Sequence, residues 1–346
     1  MKTEKYFITG GAGFIGSNFI RYLLQQKEDI RILNVDSLTY AGNLDNLSDI
    51  ETNPRYSFVK ADICSIKKIK NIFDRFHPDY VVNFAAESHV DRSILKPDIF
   101  VKSNVMGVQN LLKVSLESGV KKYLQISTDE VYGSLGEKGS FTEKTQLNPR
   151  SPYSASKASA DLLSQAYFHT FHLPINITRC SNNYGPYQFP EKLIPLTITN
   201  CLNRKKIPIY GDGLNIRDWI HVKDHCSAID LVLHKGVAGE VYNVGANNER
   251  SNIEIVKLII QILSDLRSDL KVSEDLISYV EDRKGHDRRY AIDSTKIQKE
   301  LKWKPSIPFK RGLKDTILWY LDHPDWLDSI ITKKYLAYYQ KVYGNK

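Results

Sequence analysis

Tyr153-Ser154-Ala155-Ser156-Lys157 sets a phenol and an ammonium four residues apart, on one face of any helix that contains them. An ammonium beside a phenol lowers the cost of the phenolate, which makes tyrosine a usable base near neutral pH. Upstream, Ser127-Thr128-Asp129-Glu130 combines a hydroxyl with two adjacent carboxylates. Such carboxylates divide into acid and base, because a neighbouring negative charge keeps one of them protonated. A third group is Gly10-Gly11-Ala12-Gly13-Phe14-Ile15-Gly16, which satisfies GxGxxG through Gly11, Gly13 and Gly16 and GxxGxxG through Gly10, Gly13 and Gly16. Glycines let the backbone turn tightly and approach a pyrophosphate, whose charge then sits at the positive end of a helix. Asp36 lies 20 residues after Gly16, where an acid can hold a ribose 2′-hydroxyl. With Ser37 and Leu38 following and no arginine beside it, Asp36 repels a 2′-phosphate, so NAD is expected in preference to NADP. Asp62-Ile63 is either an adenine contact or a plain polar loop.

These groups need elements to hold them. β-rich runs at Tyr6–Thr9, Ile32–Val35, Ser57–Lys60, Tyr80–Phe84, Tyr123–Ser127 and Ile175–Arg179 alternate with helical spacing over Phe14–Gln26, Ile66–Phe76, Phe100–Ser118 and Ser154–Phe171. That rhythm predicts βαβ units in a doubly wound parallel sheet, an α/β Rossmann-like fold. The glycine turn then opens the first helix, and Ser127–Glu130 falls at the carboxyl end of the fifth strand, the edge where such sheets bind ligands. From Asn182 onward Pro186, Pro190, Pro195, Pro208 and Gly211-Asp212-Gly213 crowd together. The expected division is a dinucleotide-binding domain over 1–181 and a smaller α/β substrate domain over 182–346. A strand at Val241–Val244 suggests a return to the main sheet near 215–250.

The 346 residues, 42% hydrophobic and 25% charged, exceed one ordinary domain and exclude a miniature scaffold or a disordered chain. Cys64, Cys180, Cys201 and Cys226 lack CxxC spacing, so free thiols in a reducing compartment are expected, with no metal. No apolar run reaches the roughly 20 residues that span a bilayer, and MKTEKYFITG enters a strand without a signal-peptide stretch. The expected setting is the cytoplasm, without a membrane partner. The net charge of +8 is spread over Lys27, Lys60, Lys67, Lys68, Lys70, Lys121, Lys122, Lys205 and Lys206, with no basic arm for nucleic acid. Arg217 and the cluster Arg283, Lys284, Arg288, Arg289 are suited to clamp a diphosphate.

TGGAGFIG (Thr9–Gly16), YSASK and TDEVYG (Thr128–Gly133) together resemble the extended short-chain dehydrogenase/reductases, and among them the nucleotide-sugar 4,6-dehydratases. The resemblance extends through Ala85–Ser93, Arg179–Pro195, Pro208–Val222 and Gly285–Asp293. It implies a tightly held NAD, a nucleoside-diphosphate glucose substrate bound by the smaller domain, and a homodimer in which Phe100–Ser118 and Ser154–Phe171 pair as a four-helix bundle. Tyr153 would take the sugar C4 hydroxyl proton while hydride passes to NAD, with Lys157 tuning it and Thr128 bonded to the same oxygen. Glu130 would remove the C5 proton and Asp129 would protonate the departing C6 hydroxyl. Gly10, Gly13, Phe14, Ile15, Gly16, Asp36, Ser37, Leu38, Thr39, Asp62, Ile63, Ala85, Ala86, Glu87, Ser88, His89, Ser103, Tyr153, Lys157 and Asn183 would surround NAD. Ser88, Thr128, Asn182, Lys192, Leu193, Pro208, Ile209, Tyr210, Arg217, Asn252, Arg283, Lys284, Gly285 and His286 would surround the sugar nucleotide. Two positions depart from the family pattern: Lys284 replaces a usual proline beside the diphosphate, and Trp326-Leu327 replaces a tryptophan pair, a change expected to affect packing.

Rival readings stay open. UDP-sugar epimerases and decarboxylases share the C4 oxidation but generally lack the full Asp-Glu pair, and a silent NAD sensor needs none of the four catalytic groups. Thymidine is the expected base and uridine the alternative. They differ by one methyl, worth about 1 kcal/mol in an apolar pocket, and no residue reports it.

Overall fold

A computed structural model describes residues 3–331. Its strands are β1 (Glu4–Thr9), β2 (Ile30–Asp36), β3 (Tyr56–Lys60), β4 (Tyr80–Asn83), β5 (Lys122–Thr128), β6 (Ile175–Cys180), β7 (Asn182–Tyr184), β8 (Ile207–Tyr210), β9 (Ile216–His221), β10 (Val241–Val244), β11 (Glu249–Ser251) and β12 (Ile277–Val280). Seven form one sheet in the order β10-β6-β5-β4-β1-β2-β3, with every pairing parallel. Tyr6 and Ile8 point to one face and Phe7 to the other, and all three are fully buried, so helices must cover both sides. Strand order reverses between β1 and β4, which opens a crevice at the carboxyl ends of the central strands.

The helices are α1 (Phe14–Gln26), α2 (Ile66–Phe76), α3 (Val90–Leu95), α4 (Pro97–Val101), α5 (Val108–Glu117), α6 (Pro152–Phe171), α7 (Leu193–Leu202), α8 (Val222–Lys235), α9 (Asn252–Leu266), α10 (Thr295–Leu301), α11 (Phe309–Asp322) and α12 (Pro324–Ile330). Phe19, Ile20 and Leu23 of α1 pack with Ile229 and Val232 of α8 on one face, and Ile69, Leu111 and Ala160 of α2, α5 and α6 cover the other. The helix expected over Phe100–Ser118 is interrupted: a π-helical stretch at Lys102–Gly107 lies between α4 and α5. It contains buried Asn104, whose amide bonds both the N–H and the C=O of Glu87, a polar anchor within an otherwise apolar face.

β6 ends at Cys180, and β7 begins at Asn182 in a different sheet, of order β11-β9-β7. A two-stranded pair, β12-β8, and helices α7, α9, α11 and α12 bury a separate core that includes Ile198, Ile259, Ile317 and Tyr320. In between, α8 and β10 pack with the large sheet. Residues 332–346 of the expected second domain lie outside the described residues. Cys180, Cys201 and Cys226 are buried free thiols and Cys64 is half-buried and free. Among the described residues no helix is long and apolar enough to cross a membrane.

Candidate active site

The turn between β1 and α1 closes only because it is built of glycine. Gly10 has φ +68° and a Cβ there would lie 2.5 Å from the Ala85 nitrogen, while one on Gly16 would lie 2.4 Å from the Gly10 carbonyl oxygen. Gly13 caps α1 without a side-chain hydrogen bond, and the first turn holds no acid. The N-terminal amides and their partial positive charge are therefore open to an anion. Asp36 ends β2 beside this turn and accepts from the N–H groups of Leu38 (2.8 Å) and Ala12 (3.1 Å). Burial raises its carboxyl above the ordinary range, and bonds from Leu38, Ala12 and Ser37 pull it back.

One cavity begins at the glycine turn, Asp36, Ser37 and Thr39, passes Asp62 and Ile63, and continues along Ala85–His89 and Ser103. It then takes in Thr128, Asp129, Glu130, Tyr153, Lys157, Asn182 and Asn183. Its far end is formed by Lys192, Leu193, Pro208–Tyr210, Arg217, Asn252, Arg283 and His286. Three expected residues do not line it. Leu38 stands at φ 54°, and its contribution is the N–H that holds Asp36. Lys284 and Gly285 are exposed beyond the cavity rim, so the proline replacement at Lys284 lies outside the binding wall.

The chemistry clusters where β5 ends. Thr128 caps a 3-10 turn that carries Asp129 and Glu130. Across from it, Ser151 and Ser154 form a capping box and Pro152 opens α6, which fixes Tyr153 in the first turn and Lys157 one turn on. Burial, and then the charge of Glu130, push the Tyr153 phenol well above its ordinary value, opposed by a hydrogen bond with Thr128. Lys157 Nζ donates to the Ile126 carbonyl at 2.6 Å, and burial lowers its pKa. In the protein alone the Lys157 ammonium is engaged by the Ile126 carbonyl, and burial is the largest influence on the Tyr153 phenol.

The two carboxylates have different surroundings. Burial, Glu130 and Asp218 drive Asp129 well above the ordinary range, against Arg217 and a 3.3 Å hydrogen bond from Thr128. Burial also raises Glu130, but Arg283, Lys192 and Arg217 pull it down. Both carboxyls are raised, and the surroundings favour the neutral form of Asp129 more strongly than that of Glu130.

Arg217 is 5% exposed, donates to the Asp287 carbonyl at 2.9 Å and lies 4.3 Å over the Tyr290 ring. Arg283 has a buried Nε without a hydrogen-bond partner among the described residues. The wider arginine clamp is corrected, since Arg288 makes a bidentate pair with Asp212 (2.8 and 3.0 Å) and Arg289 with Glu249 (2.6 and 2.9 Å), both away from the cavity. Sequence reasoning missed Glu191, Tyr290 and Tyr40, which line the cavity. Burial pushes Glu191 up to about 7, with Lys192 and Arg92 opposing. The Arg92 guanidinium sits 3.8 Å over Tyr40. The available signal was adjacency: Glu191 precedes Lys192, and Tyr290 falls within the Gly285–Asp293 motif.

A family model described as GDP-mannose 4,6 dehydratase matches residues 7–316. The chain belongs to the GDP-mannose 4,6 dehydratase family. Within that family it is 49% identical over 341 residues to the dTDP-glucose 4,6-dehydratase of Xanthomonas campestris pv. campestris, covering 95% of this chain and 97% of that one. The dTDP-glucose 4,6-dehydratase of Bacillus anthracis, solved in complex with NAD, has a TM-score of 0.87 at 50% identity, over 94% of this chain and 99% of that one. A UDP-glucose 4-epimerase from Thermotoga maritima is also similar in fold, with a TM-score of 0.83 at 29% identity over 92% and 99%. Membership accounts for the shared parallel sheet, but the epimerase likeness means that the reaction must be argued from the site.

Proposed function

We propose that this chain dehydrates a nucleoside-diphosphate glucose, dTDP-glucose first and UDP-glucose as the alternative, to the 4-keto-6-deoxy sugar nucleotide and water, using NAD. The observation that carries this reading is the Asp129–Glu130 pair, with its opposed electrostatics, in the same cavity as Tyr153 and Lys157. The open N-terminus of α1, the glycine cradle that a Cβ would fill and the Asp36 carboxylate fit a dinucleotide with a free 2′-hydroxyl. Bound NAD supplies a store for one hydride, taken from C4 and returned to C6, and a positive ring that eases proton loss from a nearby phenol. Tyr153 accepts the C4 hydroxyl proton while Thr128 holds the same oxygen and Lys157 orients the site. The C4 ketone acidifies the C5 hydrogen, Glu130 removes it, protonated Asp129 delivers a proton to the leaving C6 hydroxyl, and Glu130 returns a proton to C5 when C6 is reduced. Arg217, Arg283 and Lys192 supply positive charge for the diphosphate.

A homodimer in the cytoplasm completes the reading. Ile94, Leu95, Val101 and Met106 on α3, α4 and the π stretch, and Leu162 on α6, are exposed apolar side chains that support pairing through a four-helix bundle. The test of the reaction is isotopic. Substrate deuterated at C4, mixed with unlabelled substrate marked by ¹³C, is expected to give deuterium at C6 only in molecules that began with it. Deuterium back at C4 would mean epimerisation, and scrambling between populations would mean an exchanging cofactor; either result sinks the proposal.

A further inference from the structure

Trp326 lies beyond the residues matched by the family model, and its sequence context implies only packing. In the fold it reaches across the molecule. Its indole N–H donates to Asn46 Oδ1 at 2.8 Å, a contact between residues 280 apart in the chain. Asn46 is 2% exposed, in the 3-10 segment Leu44–Ile50, and its Nδ2 donates to the Ala12 carbonyl at 2.8 Å. Ala12 is the centre of the glycine turn, and its own N–H bonds the Asp36 carboxylate. A continuous hydrogen-bonded chain therefore links α12, in the second core, to the turn and carboxylate proposed to hold the cofactor.

A second set of contacts braces the same junction. Tyr187 stands at φ +68°, a conformation rare for an aromatic residue. Its ring packs against Trp319 (4.5 Å) and Trp326 (5.8 Å) and under the Arg21 guanidinium (4.2 Å). Arg21 also bonds the Asn46 carbonyl, and the neighbouring Gln188, which lines the cavity, has its carbonyl held by the Tyr320 hydroxyl at 2.6 Å. Trp326 thus touches both the 3-10 segment beneath the turn and Tyr187, the residue that precedes cavity-lining Gln188.

We infer that Trp326 is a positioning residue for the glycine turn, acting through Asn46. The indole N–H is a donor only, so it selects the amide orientation in which Asn46 oxygen faces α12 and its nitrogen faces Ala12. Without it the buried Asn46 oxygen loses its partner and the amide is less firmly oriented, which loosens one of the two hydrogen bonds on the Ala12 carbonyl, the other coming from the Asn43 N–H at 3.0 Å. A turn that is held in place before binding gives up less freedom when it closes on a dinucleotide, so the latch slows cofactor loss. This inference rests on the NAD reading.

The test follows the rate at which intact protein, loaded with labelled NAD, releases it into excess unlabelled NAD. Trp326→Phe keeps an aromatic ring at the position and removes the N–H; release is expected to rise about five-fold, equivalent to one buried neutral hydrogen bond of about 1 kcal/mol. Trp326→Phe added to Asn46→Ala is expected to raise release no further than Asn46→Ala alone, because both act through one contact. Leu327→Ala, which removes core packing in the same helix, is expected to lower Tm while leaving release at the wild-type rate. Wild-type release from Trp326→Phe, additivity in the double variant, or an equal increase in Leu327→Ala each overturns the latch. A wild-type protein that retains no NAD overturns the cofactor reading and the latch with it.

Discussion

Asp129→Asn separates the two carboxylates in one substitution. Asparagine keeps the shape and can still accept from Thr128, but it cannot deliver a proton. Loss of a positioned general acid costs roughly 10²- to 10⁴-fold, or about 3–5 kcal/mol, and it falls on departure of the C6 hydroxyl. Oxidation at C4 depends on Tyr153 and Thr128 and continues, so reduced cofactor is expected to accumulate in a rapid-mixing experiment read by its near-ultraviolet absorbance. The pH profile carries a sharper expectation. Burial, Glu130 and Asp218 raise the Asp129 pKa, so with Asp129 as the proposed acid wild-type dehydration is expected to fall as pH rises through that raised pKa, and the variant to lack this limb. In the proposed mechanism the low-pH limb belongs to Glu130, the proposed base, whose pKa is raised by burial. With Asp129 neutral, as the proposal requires, the substitution leaves the local charge unchanged and the Glu130 limb is expected to stay where it is. A limb displaced to lower pH in the variant would show that Asp129 had been ionised. Equal slowing of C4 oxidation and dehydration would show that it is not the acid.

Other consequences can be measured separately. Asp36→Ala removes the ribose carboxylate, and retention of NAD is expected to weaken about ten-fold or more, the scale of a hydrogen bond to a charged group; native protein that carries mainly NADP would refute the ribose argument. His225 is fully buried against Asn183 Oδ1 at 2.9 Å, and burial lowers its pKa from 6.5 to about 3. Between those values the unfolded chain binds the proton and the folded one does not, so this site loses stability as pH falls. His225→Gln is therefore expected to lose less Tm than the wild type between pH 7 and pH 5; an equal or larger loss contradicts the assignment. Met106→Glu places a charge on the exposed apolar face and is expected to shift a dimer toward monomer by light scattering, and a monomeric wild type at micromolar concentration refutes the pairing.

What could be foreseen from the sequence was what is encoded locally. The glycine turn, Asp36 and the strand-end Thr128–Glu130 each depend on a few neighbouring residues and on alternating periods of burial, so their positions on β1, β2 and β5 follow from the pattern. Leu38 shows the limit of adjacency: it neighbours Asp36, yet φ 54° leaves only its backbone N–H engaged with the carboxylate. Arg288 and Arg289 fail as clamps for a different reason, since their partners Asp212 and Glu249 lie 76 and 40 residues away, and no local pattern reveals that those charges are already satisfied. The π stretch at Lys102–Gly107 likewise depends on Asn104 finding the Glu87 backbone on another segment.

The same distinction explains why Trp326 reads as packing in sequence and as a latch in the fold. Its apolar ring is visible in a pattern of buried positions, but its single N–H gains meaning only once the second core sets α12 against the segment after β2. Tertiary contact thus turns a helix in one core into a support for a turn in the other. Cofactor retention becomes sensitive to residues that touch neither cofactor nor substrate, and the comparison of Trp326→Phe with Leu327→Ala isolates that sensitivity from stability.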